Sequence, residues 1–503
     1  MIGFICVCCP GMFNAINGIG GGGSSDEYIS VVARANAGLY AFFAISGYFS
    51  GGINNILGPK TTIFLSGWGY VLYVGALLYF QIYKAPAFMI IAGCILGICA
   101  ALLWSAQGAL MMSYPTEQTK GRYISVFWAI FNAGAAASSA VVLGLNASQN
   151  KSGTVSISTY VAILIAMSLG LLVTALLVSP NYVRRKDGSR VVVLKYPPVR
   201  QELIATARLI FDKKIILLIP LCFYSNFFYA YQFRANGAYF SVRARGLNNL
   251  VYWLAQILGA LLFGLFLDSG RYVRRTRAYF GLAIVLVLFS ATWAAGLFIW
   301  QLTFTKDQPS PNVDWTDPRF IAPCIVYIFY GLCDAMYQVY CYWLMGAITN
   351  DPLKLSRYAG FYKGVQSAGS AVSWYLDSVD SFPFLAEILL NWGLLLFSVP
   401  FAFLIARQIR DTNYTLDDIA VASSKPSPSD FNQKLEQHTM HIRKPHTHID
   451  EGSHPRTLSS NINTSPYNQF EDLPYDGRQP YGAAKQYPFH PNSHRGNAYG
   501  DNW

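Results

Sequence analysis

Long apolar stretches separated by short polar ones occupy most of the chain. A membrane-spanning helix needs about 20 mainly apolar residues to cross the hydrocarbon core, and stretches of this length recur up to residue 407. The pattern predicts twelve membrane segments, numbered here in chain order, near residues 1–19, 31–50, 62–83, 87–112, 123–146, 157–179, 215–233, 249–267, 278–302, 320–347, 358–379 and 384–407. The expected fold is therefore that of an all-α polytopic membrane protein.

The composition agrees with this prediction. Hydrophobic residues make up 53% of the 503-residue chain and charged residues only 13%, whereas about a quarter of the residues in a soluble domain are charged. After residue 407 the sequence becomes rich in Asn, Pro, His, Ser, Tyr and Asp and loses its apolar periodicity. Residues 408–503 are therefore expected to form a disordered cytoplasmic tail, since they cannot bury enough apolar surface to fold.

The basic residues of the loops predict the orientation, because short loops rich in Lys and Arg stay on the cytoplasmic side. If the first loop lies outside, the inner loops hold most of the basic residues and both termini are cytoplasmic. Two glycosylation sequons, at Asn146 and Asn150, then fall in an outer loop. The expected location is an integral membrane, either the plasma membrane or an internal one.

A repeat divides the twelve segments into two halves. Segment five opens with Gly121-Arg122-Tyr123 and segment eleven with Ser356-Arg357-Tyr358, and small residues follow both at the same spacing. The pattern predicts an N-terminal six-helix half at residues 1–179, a basic cytoplasmic connector at 180–214 and a C-terminal six-helix half at 215–407.

A second repeat lies in the loops after segments two and eight. The first reads Gly51-x-Ile53-x-Asn55-x-x-Gly58-x-Lys60, and the second reads Gly264-x-Phe266-x-Asp268-x-x-Arg271. Both resemble the G-x-L-x-D-R-x-G-R-K loop of the major facilitator superfamily, although Asn55 replaces its Asp and Arg271 its second Gly. The resemblance implies the major facilitator fold and transport by alternating access.

In that superfamily the loop acid meets the start of a helix in the opposite half and holds the cytoplasmic side closed. The resemblance implies that Asn55 faces segment eleven near Tyr358 and that Asp268 faces segment five near Tyr123. Either side chain can accept hydrogen bonds from free backbone amides there. Because Asn55 is uncharged, its latch is expected to be weaker by about 0.3–1 kcal/mol. The alternative is that both loops are simple tight turns.

Two further stretches narrow the resemblance. Residues 3–23 and 113–128 resemble fungal members of the Unc-ninety-three-like branch, also labelled ion-channel regulatory proteins. Worm and vertebrate relatives act as accessory subunits of potassium channels or as trafficking chaperones of receptors, whereas fungal members are generally described as transporters. The resemblance therefore implies either a transporter of an unknown small solute or a non-transporting regulator.

Polar side chains inside the segments are the candidate substrate or coupling residues, because ionisable groups at membrane depth usually mark a pathway or a pairing. Lys363 and Asp334 are expected to pair at a cavity wall, where they could exchange a proton or bind a charged substrate. The amide candidates are Asn14, Asn17, Asn132, Asn226, Gln232 and Gln366. The alternatives are a structural ion pair, snorkelling of Lys363 to the cytoplasm, and simple interhelical hydrogen bonds for the amides.

Catalytic and cofactor motifs lack a suitable context in this sequence. Gly18-x-Gly20-x-x-Gly23 matches a dinucleotide fingerprint but follows a membrane segment rather than a strand. All seven histidines lie in the tail, without the cysteine partners of a structural zinc site. The chain is expected not to be an enzyme and to bind no cofactor, metal or nucleic acid. Its expected partners are the lipid bilayer, a small solute or coupling ion, and, for a regulator, another membrane protein.

Overall fold

The computed structural model describes residues 1–18, 26–146, 157–178, 183, 197–301, 313–377 and 382–413. Within these ranges the chain is helical apart from short turns and an isolated bridge between Phe240 and Val313. Asn150 and residues 414–503 lie outside the described residues, as do the side chains of Asn17 and Asn146. The predictions made for them stay predictions.

Helices cover each of the six predicted segments of the N-terminal half. Segment one consists of Ile2–Cys6, a π-helical turn at Val7–Gly11, and Met12–Gly18. Segments two to six are Asp26–Leu57, Pro59–Tyr83, Pro86–Ser113, Lys120–Asn146, and Ile157–Leu172 with a 3-10 turn at Val173–Leu176.

The C-terminal half also contains six helical segments. Segments seven to nine are Lys213–Tyr224 with Phe228–Tyr239, then Val242–Leu267, then Arg274–Ala295 with a π-helical turn at Gly296–Gln301. Segments ten to twelve are Pro318–Phe320 with Ile321–Ile348, then Pro352–Asp377, then Phe384–Gln408. Between the halves, Val199–Arg208 and a 3-10 turn at Leu209–Phe211 together form what we call the connector helix.

Local sequence signals account for several helix boundaries. Pro59 and Pro86 lie in the first turn of their helices, where a missing N–H leaves no hydrogen bond unmade. Gly58 adopts φ 78°, a left-handed conformation that favours glycine. The Gly-Pro pair thus turns the chain between segments two and three. Pro10 lies within the π-helical turn of segment one, where the helix is interrupted.

The helices differ in how many polar residues they carry. Seven of the described helices are long and apolar enough to cross a membrane by composition alone: segments three, four, seven, eight, nine, ten and twelve. Segments two, five and eleven carry more polar residues, and many of these are buried. These three helices, together with segment eight, form the contact between the halves: segment two packs on segment eleven, and segment five on segment eight.

Glycines allow the close approach of these helices. A Cβ atom on Gly47 would lie 2.4 Å from Cα of Gly364, and one on Gly51 would lie 2.3 Å from the carbonyl oxygen of Ser356. In the other pair, a Cβ atom on Gly264 would lie 2.4 Å from Cβ of Ser125. Such small-residue contacts are typical of tightly packed membrane helices. They hold the two halves in register.

We expect Gly47→Ala to lower the stability of the protein by about 1–3 kcal/mol, because the added methyl group would overlap the backbone of segment eleven. The matched control is Gly75→Ala in segment three, where a Cβ atom would meet nothing within 4 Å. The control should be neutral or slightly stabilising, since Ala favours helix over Gly. Thermal unfolding of both variants in detergent checks this. Equal melting temperatures would contradict the packing argument.

Candidate functional site

Asp334 lies fully buried in segment ten, surrounded by hydrogen-bond donors. Its Oδ2 accepts hydrogen bonds from Tyr229 Oη at 2.5 Å, Gln256 Nε2 at 2.7 Å and Tyr252 Oη at 3.3 Å. Its Oδ1 accepts a longer one from Gln338 Nε2 at 3.5 Å. A buried carboxylate is unfavourable without such partners, so these donors stabilise the charged form at this depth.

Lys363 lies in segment eleven with only 4% of its surface exposed. Its Nζ donates a hydrogen bond to Gln366 Oε1 at 2.6 Å. Ring faces from both halves surround the ammonium group, with distances from Nζ to the ring centroids of 4.5 Å for Trp104, 5.8 Å for Trp128, 5.6 Å for Tyr342 and 5.2 Å for Tyr362. The two tryptophans belong to the N-terminal half and the two tyrosines to the C-terminal half. Cation–π attraction stabilises the charge where water is excluded.

The expected direct ion pair between Lys363 and Asp334 is not formed. Among the described residues, neither side chain has an oppositely charged partner within 4 Å. Gln366 Nε2 instead donates to Gln338 Oε1 at 3.1 Å, and Gln338 Nε2 faces Asp334. The predicted contact between Lys363 and Asp334 is wrong because the ammonium group donates to Gln366, almost one turn along the same helix. An amide can accept at one end and donate at the other, so two glutamines connect the charges.

The same chain of amides reaches the N-terminal half. Asn132 Nδ2 donates to Gln256 Oε1 at 3.0 Å, and Gln256 donates to Asp334. Two other candidates join from the side. Gln366 Nε2 donates to Asn226 Oδ1 at 3.0 Å, and Tyr252 Oη lies 2.9 Å from Gln232 Oε1, the nearer of the two oxygens that its single proton can reach. We call the whole set the polar network, formed by Asn132, Asn226, Gln232, Gln256, Asp334, Gln338, Lys363 and Gln366.

The network gathers six of the eight candidates predicted from the sequence. Asn14 is partly buried in segment one but is not hydrogen-bonded to this network, and Asn17 lies outside the described side chains. Sequence reasoning missed Gln256 and Gln338. Gln338 follows Asp334 by four residues, so helical spacing could have found it. Gln256 had no such local signal, because it approaches from another helix.

A second candidate site lies on the membrane side that carries Lys60, Lys120, Arg274 and Lys354, which we call the basic face. Asp268 follows the end of segment eight, and its Oδ1 and Oδ2 accept hydrogen bonds from the backbone N–H groups of Gly121 at 2.8 Å and Arg122 at 2.6 Å. Asp268 thus lies at the start of segment five, where the sequence places it. Burial raises the pKa of its carboxyl group to about 6, and the two backbone donors oppose this shift.

The contacts of Asn55, in the loop after segment two, differ from those predicted by analogy with Asp268. Asn55 does not accept from amides of segment eleven; its Nδ2 donates to Glu202 Oε1 at 2.8 Å and to the carbonyl oxygen of Leu353 at 3.1 Å. Glu202, on the connector helix, also accepts from Arg357 Nε at 2.7 Å and Nη2 at 2.6 Å. The capping prediction for Asn55 is wrong because the connector helix supplies the missing carboxylate.

The remaining loop residues have simpler surroundings. Lys60 Nζ donates to the carbonyl oxygen of Ala175 at 2.7 Å, at the end of segment six. Arg271 is exposed. Beside them, Lys120 Nζ donates to the carbonyl oxygen of Gly346 at 2.6 Å, and Arg274 Nη1 pairs with Glu117 Oε1 at 2.8 Å. Both contacts join the two halves on the basic face. The backbone N–H of Asn413 also donates to Glu117 Oε1, so the last described residue of the predicted tail contacts the body.

Comparison with known proteins identifies the lineage. A model of the family described as "Ion channel regulatory protein UNC-93" matches residues 33–395. The chain belongs to the UNC-93 family. UNC93-like protein 1 of Arabidopsis thaliana is 41% identical over 409 residues, which cover 80% of this chain and 88% of that protein. An UNC93-like protein of Schizosaccharomyces pombe is 39% identical over 427 residues, which cover 83% of each chain.

Solved structures establish the fold of this UNC-93 family member. The major facilitator proton:xylose symporter XylE matches with a TM-score of 0.55 at 13% identity, covering 84% of this chain and 96% of XylE. The human organic anion transporter MFSD10 matches with a TM-score of 0.56 at 12% identity, covering 80% and 97%. The expected major facilitator fold is therefore confirmed. Identities this low carry no information about the substrate.

We expect the carboxyl group of Asp268 to titrate near pH 6, because burial raises its pKa from 3.8 to about 6. A raised carboxyl pKa adds stability below about pH 4, and this contribution is lost as the pH rises through about 6. The melting temperature of the wild type should therefore fall relative to that of Asp268→Asn between about pH 4 and pH 7. Infrared spectra should show a protonated carboxyl band with this midpoint, absent from the variant. A wild-type midpoint near the ordinary carboxyl pKa would contradict the assignment.

The Glu202–Arg357 pair should be strongly coupled, because Glu202 is only 1% exposed and the contact is bidentate. Glu202→Gln or Arg357→Gln alone should destabilise the protein by about 3 kcal/mol, and the double variant by less than the sum. The exposed Asp317–Arg319 pair provides the matched control cycle, with a coupling of about 0–1 kcal/mol. Denaturant unfolding measures both cycles. Additive effects at Glu202 and Arg357 would show that the two residues act separately.

Proposed function

We propose that this UNC-93 family member is a secondary transporter that moves a small solute by alternating access, with the polar network as its binding and coupling site. The observation that carries the proposal is the position of Lys363. Its ammonium group contacts rings from both halves and connects to Asp334 through two amides. A charge held by both halves at once is sensitive to their relative movement.

Rocking of the halves would divide these contacts unequally. Gln366 and Tyr362 lie on the same helix as Lys363, and Gln338 lies on the adjacent segment ten, so all of them would move with the ammonium group. Trp104 and Trp128 would move away with the other half. The loss of two ring partners would leave the charge less stabilised, and loss of a proton or arrival of an anionic group would compensate. This is the coupling that we propose.

Three unsatisfied polar atoms support a solute site. Within the described part of the chain, Asn132 Oδ1, Gln232 Nε2 and Trp128 Nε1 are buried without a hydrogen-bond partner. Unsatisfied buried polar atoms are unfavourable and rare in folded proteins. A solute that carries both hydrogen-bond donors and acceptors would satisfy them. Asn132 and Trp128 lie on segment five, one turn apart.

The contacts of the basic face are proposed to act as the gate. Asp268 binds the start of segment five, and Glu202 joins Asn55 to Arg357 on segment eleven. Both sets of contacts would have to break before this side could open. We place the basic face in the cytoplasm, in keeping with its Lys and Arg residues. In this orientation the loop that follows segment five, with the predicted sequons at Asn146 and Asn150, would lie outside.

A second function is favoured by the packing of the centre. Asp334, Lys363 and Gln366 are buried, and hydrogen bonds link Lys363 to Gln366 and, through Gln338, to Asp334. A filled centre is also what a non-transporting regulator of a channel or receptor would have. The description of the family model points in the same direction. A solute flux by the purified protein distinguishes the two functions.

Purified protein in liposomes should give solute-dependent uptake or charge movement when a panel of small solutes is tested. Lys363→Met and Asp334→Asn should each lower the signal by at least about tenfold, equivalent to about 1.4 kcal/mol. The matched control is Arg319→Gln, an exposed cation outside the network, which should transport like the wild type. Unchanged flux and pH dependence in both variants would remove the network from the site. No flux with any solute would favour the regulator.

A further inference from the structure

The connector helix presents two different surfaces. Its buried surface carries Glu202, Thr206 and Leu209 and faces the protein. Its outer surface carries large apolar side chains that are 44–79% exposed, namely Val199, Leu203, Ile204, Ile210 and Phe211. Exposed basic residues are interspersed among and next to them: Arg200, Arg208 and Lys213. An amphipathic helix with cations beside its apolar surface is typical of segments that bind a membrane interface.

The helix lies at the depth of the lipid headgroups. Tyr48 Oη donates to the carbonyl oxygen of Thr206 at 2.8 Å, and a Cβ atom on Gly52 would lie 2.7 Å from Thr206 Oγ1. The connector helix is thereby attached to the last part of segment two. That segment has 32 residues, a length of about 48 Å, and the hydrocarbon core is only about 30 Å thick. Segment two is therefore longer than the core, and residues 51–57, which follow the apolar stretch 31–50, are expected to extend into the headgroup region.

The apolar surface continues onto segment two itself. Phe49 is exposed on this helix, and its ring packs edge-on against the ring of Tyr48, which donates to the carbonyl oxygen of Thr206 on the connector helix. The lipid-facing side of a membrane helix and the outer surface of the connector helix thus adjoin. If the outer surface of the connector helix faced water, its five large apolar side chains would be hydrated, which is unfavourable.

We propose that the connector helix binds anionic phospholipids of the adjacent leaflet. The apolar side chains enter the boundary between headgroups and acyl chains, and Arg200, Arg208 and Lys213 bind the phosphate groups. Guanidinium groups suit phosphate because they can donate two parallel hydrogen bonds. Zwitterionic lipids offer the same apolar boundary but no net charge, so they would bind this surface more weakly.

Lipid binding would be linked to the gate through Glu202. Glu202 lies on the opposite side of the connector helix and accepts hydrogen bonds from Asn55 and Arg357. A ligand that binds one position of a helix stabilises every contact that depends on this position. Anionic lipid would therefore favour the closed arrangement of the basic face. The inference does not rest on transport, because the binding can be measured without a solute.

Hydrogen exchange of the full-length protein in vesicles tests the proposal. Backbone amides at 199–211 should exchange about tenfold more slowly in vesicles of phosphatidylcholine with about one-third phosphatidylserine than in pure phosphatidylcholine. Amides at 353–357, beside Glu202, should slow in parallel. Added salt should reduce the difference, since it screens charges near the surface.

Two triple variants make the test specific. Arg200→Gln, Arg208→Gln and Lys213→Gln combined should abolish the difference between the two lipid mixtures. The matched control combines Arg271→Gln, Arg275→Gln and Lys354→Gln, three exposed cations of the basic face outside the connector, and should keep the difference. Equal exchange in both mixtures for the wild type would overturn the proposal and show that something other than anionic lipid covers this surface. An equal loss in the control variant would overturn it as well.

Discussion

The burial of one ammonium group between two halves is the constraint on which the centre of this protein depends. Within the part of the chain that the structure describes, no carboxylate lies within 4 Å of the Lys363 ammonium group, so its charge is stabilised by aromatic ring faces and by Gln366. Those rings come from both halves, and the amides continue to Asp334 and across to Asn132. Positive and negative charges thus lie in one hydrogen-bonded system without direct contact. Separating them by amides keeps each charge available to a third group, which a tight ion pair would not.

The basic face solves a different problem, that of holding the same halves together while leaving them separable. Backbone contacts at glycine bring the helices close, and a few charged hydrogen bonds complete the closure. Such bonds are stronger than neutral ones, and few of them are needed here. The two sides of the pseudo-symmetric closure use different chemistry: Asp268 binds backbone amides directly, whereas Asn55 works through Glu202.

Sequence reasoning found the elements that repeat along the chain, but it missed several side-chain contacts between different helices. The twelve predicted segments follow from hydrophobic length, which is a local signal. The major facilitator fold and the position of Asp268 are what the resemblance of the repeated loop to that superfamily implies. The partners of Lys363 and Asn55 depend on which side chain of another helix reaches them first. Lys363 is bonded to Gln366 and not to the predicted Asp334. Asn55 is bonded to Glu202 and not to the predicted backbone amides of segment eleven. The sequence alone does not reveal which partner each side chain has, because the choice depends on distances between segments.

Glu202 has a consequence for how such a protein can diverge. In this chain the carboxylate that we propose closes one side of the gate lies on the connector helix, outside the twelve predicted membrane segments. The polar network and this carboxylate share no residue. If the proposed gate and central site are correct, substitutions in the connector would change how readily the gate opens while the central site keeps its chemistry. Substitutions in the centre would change the site while the closure stays intact. Two properties that often constrain one another in a membrane protein are here inherited on separate parts of the chain.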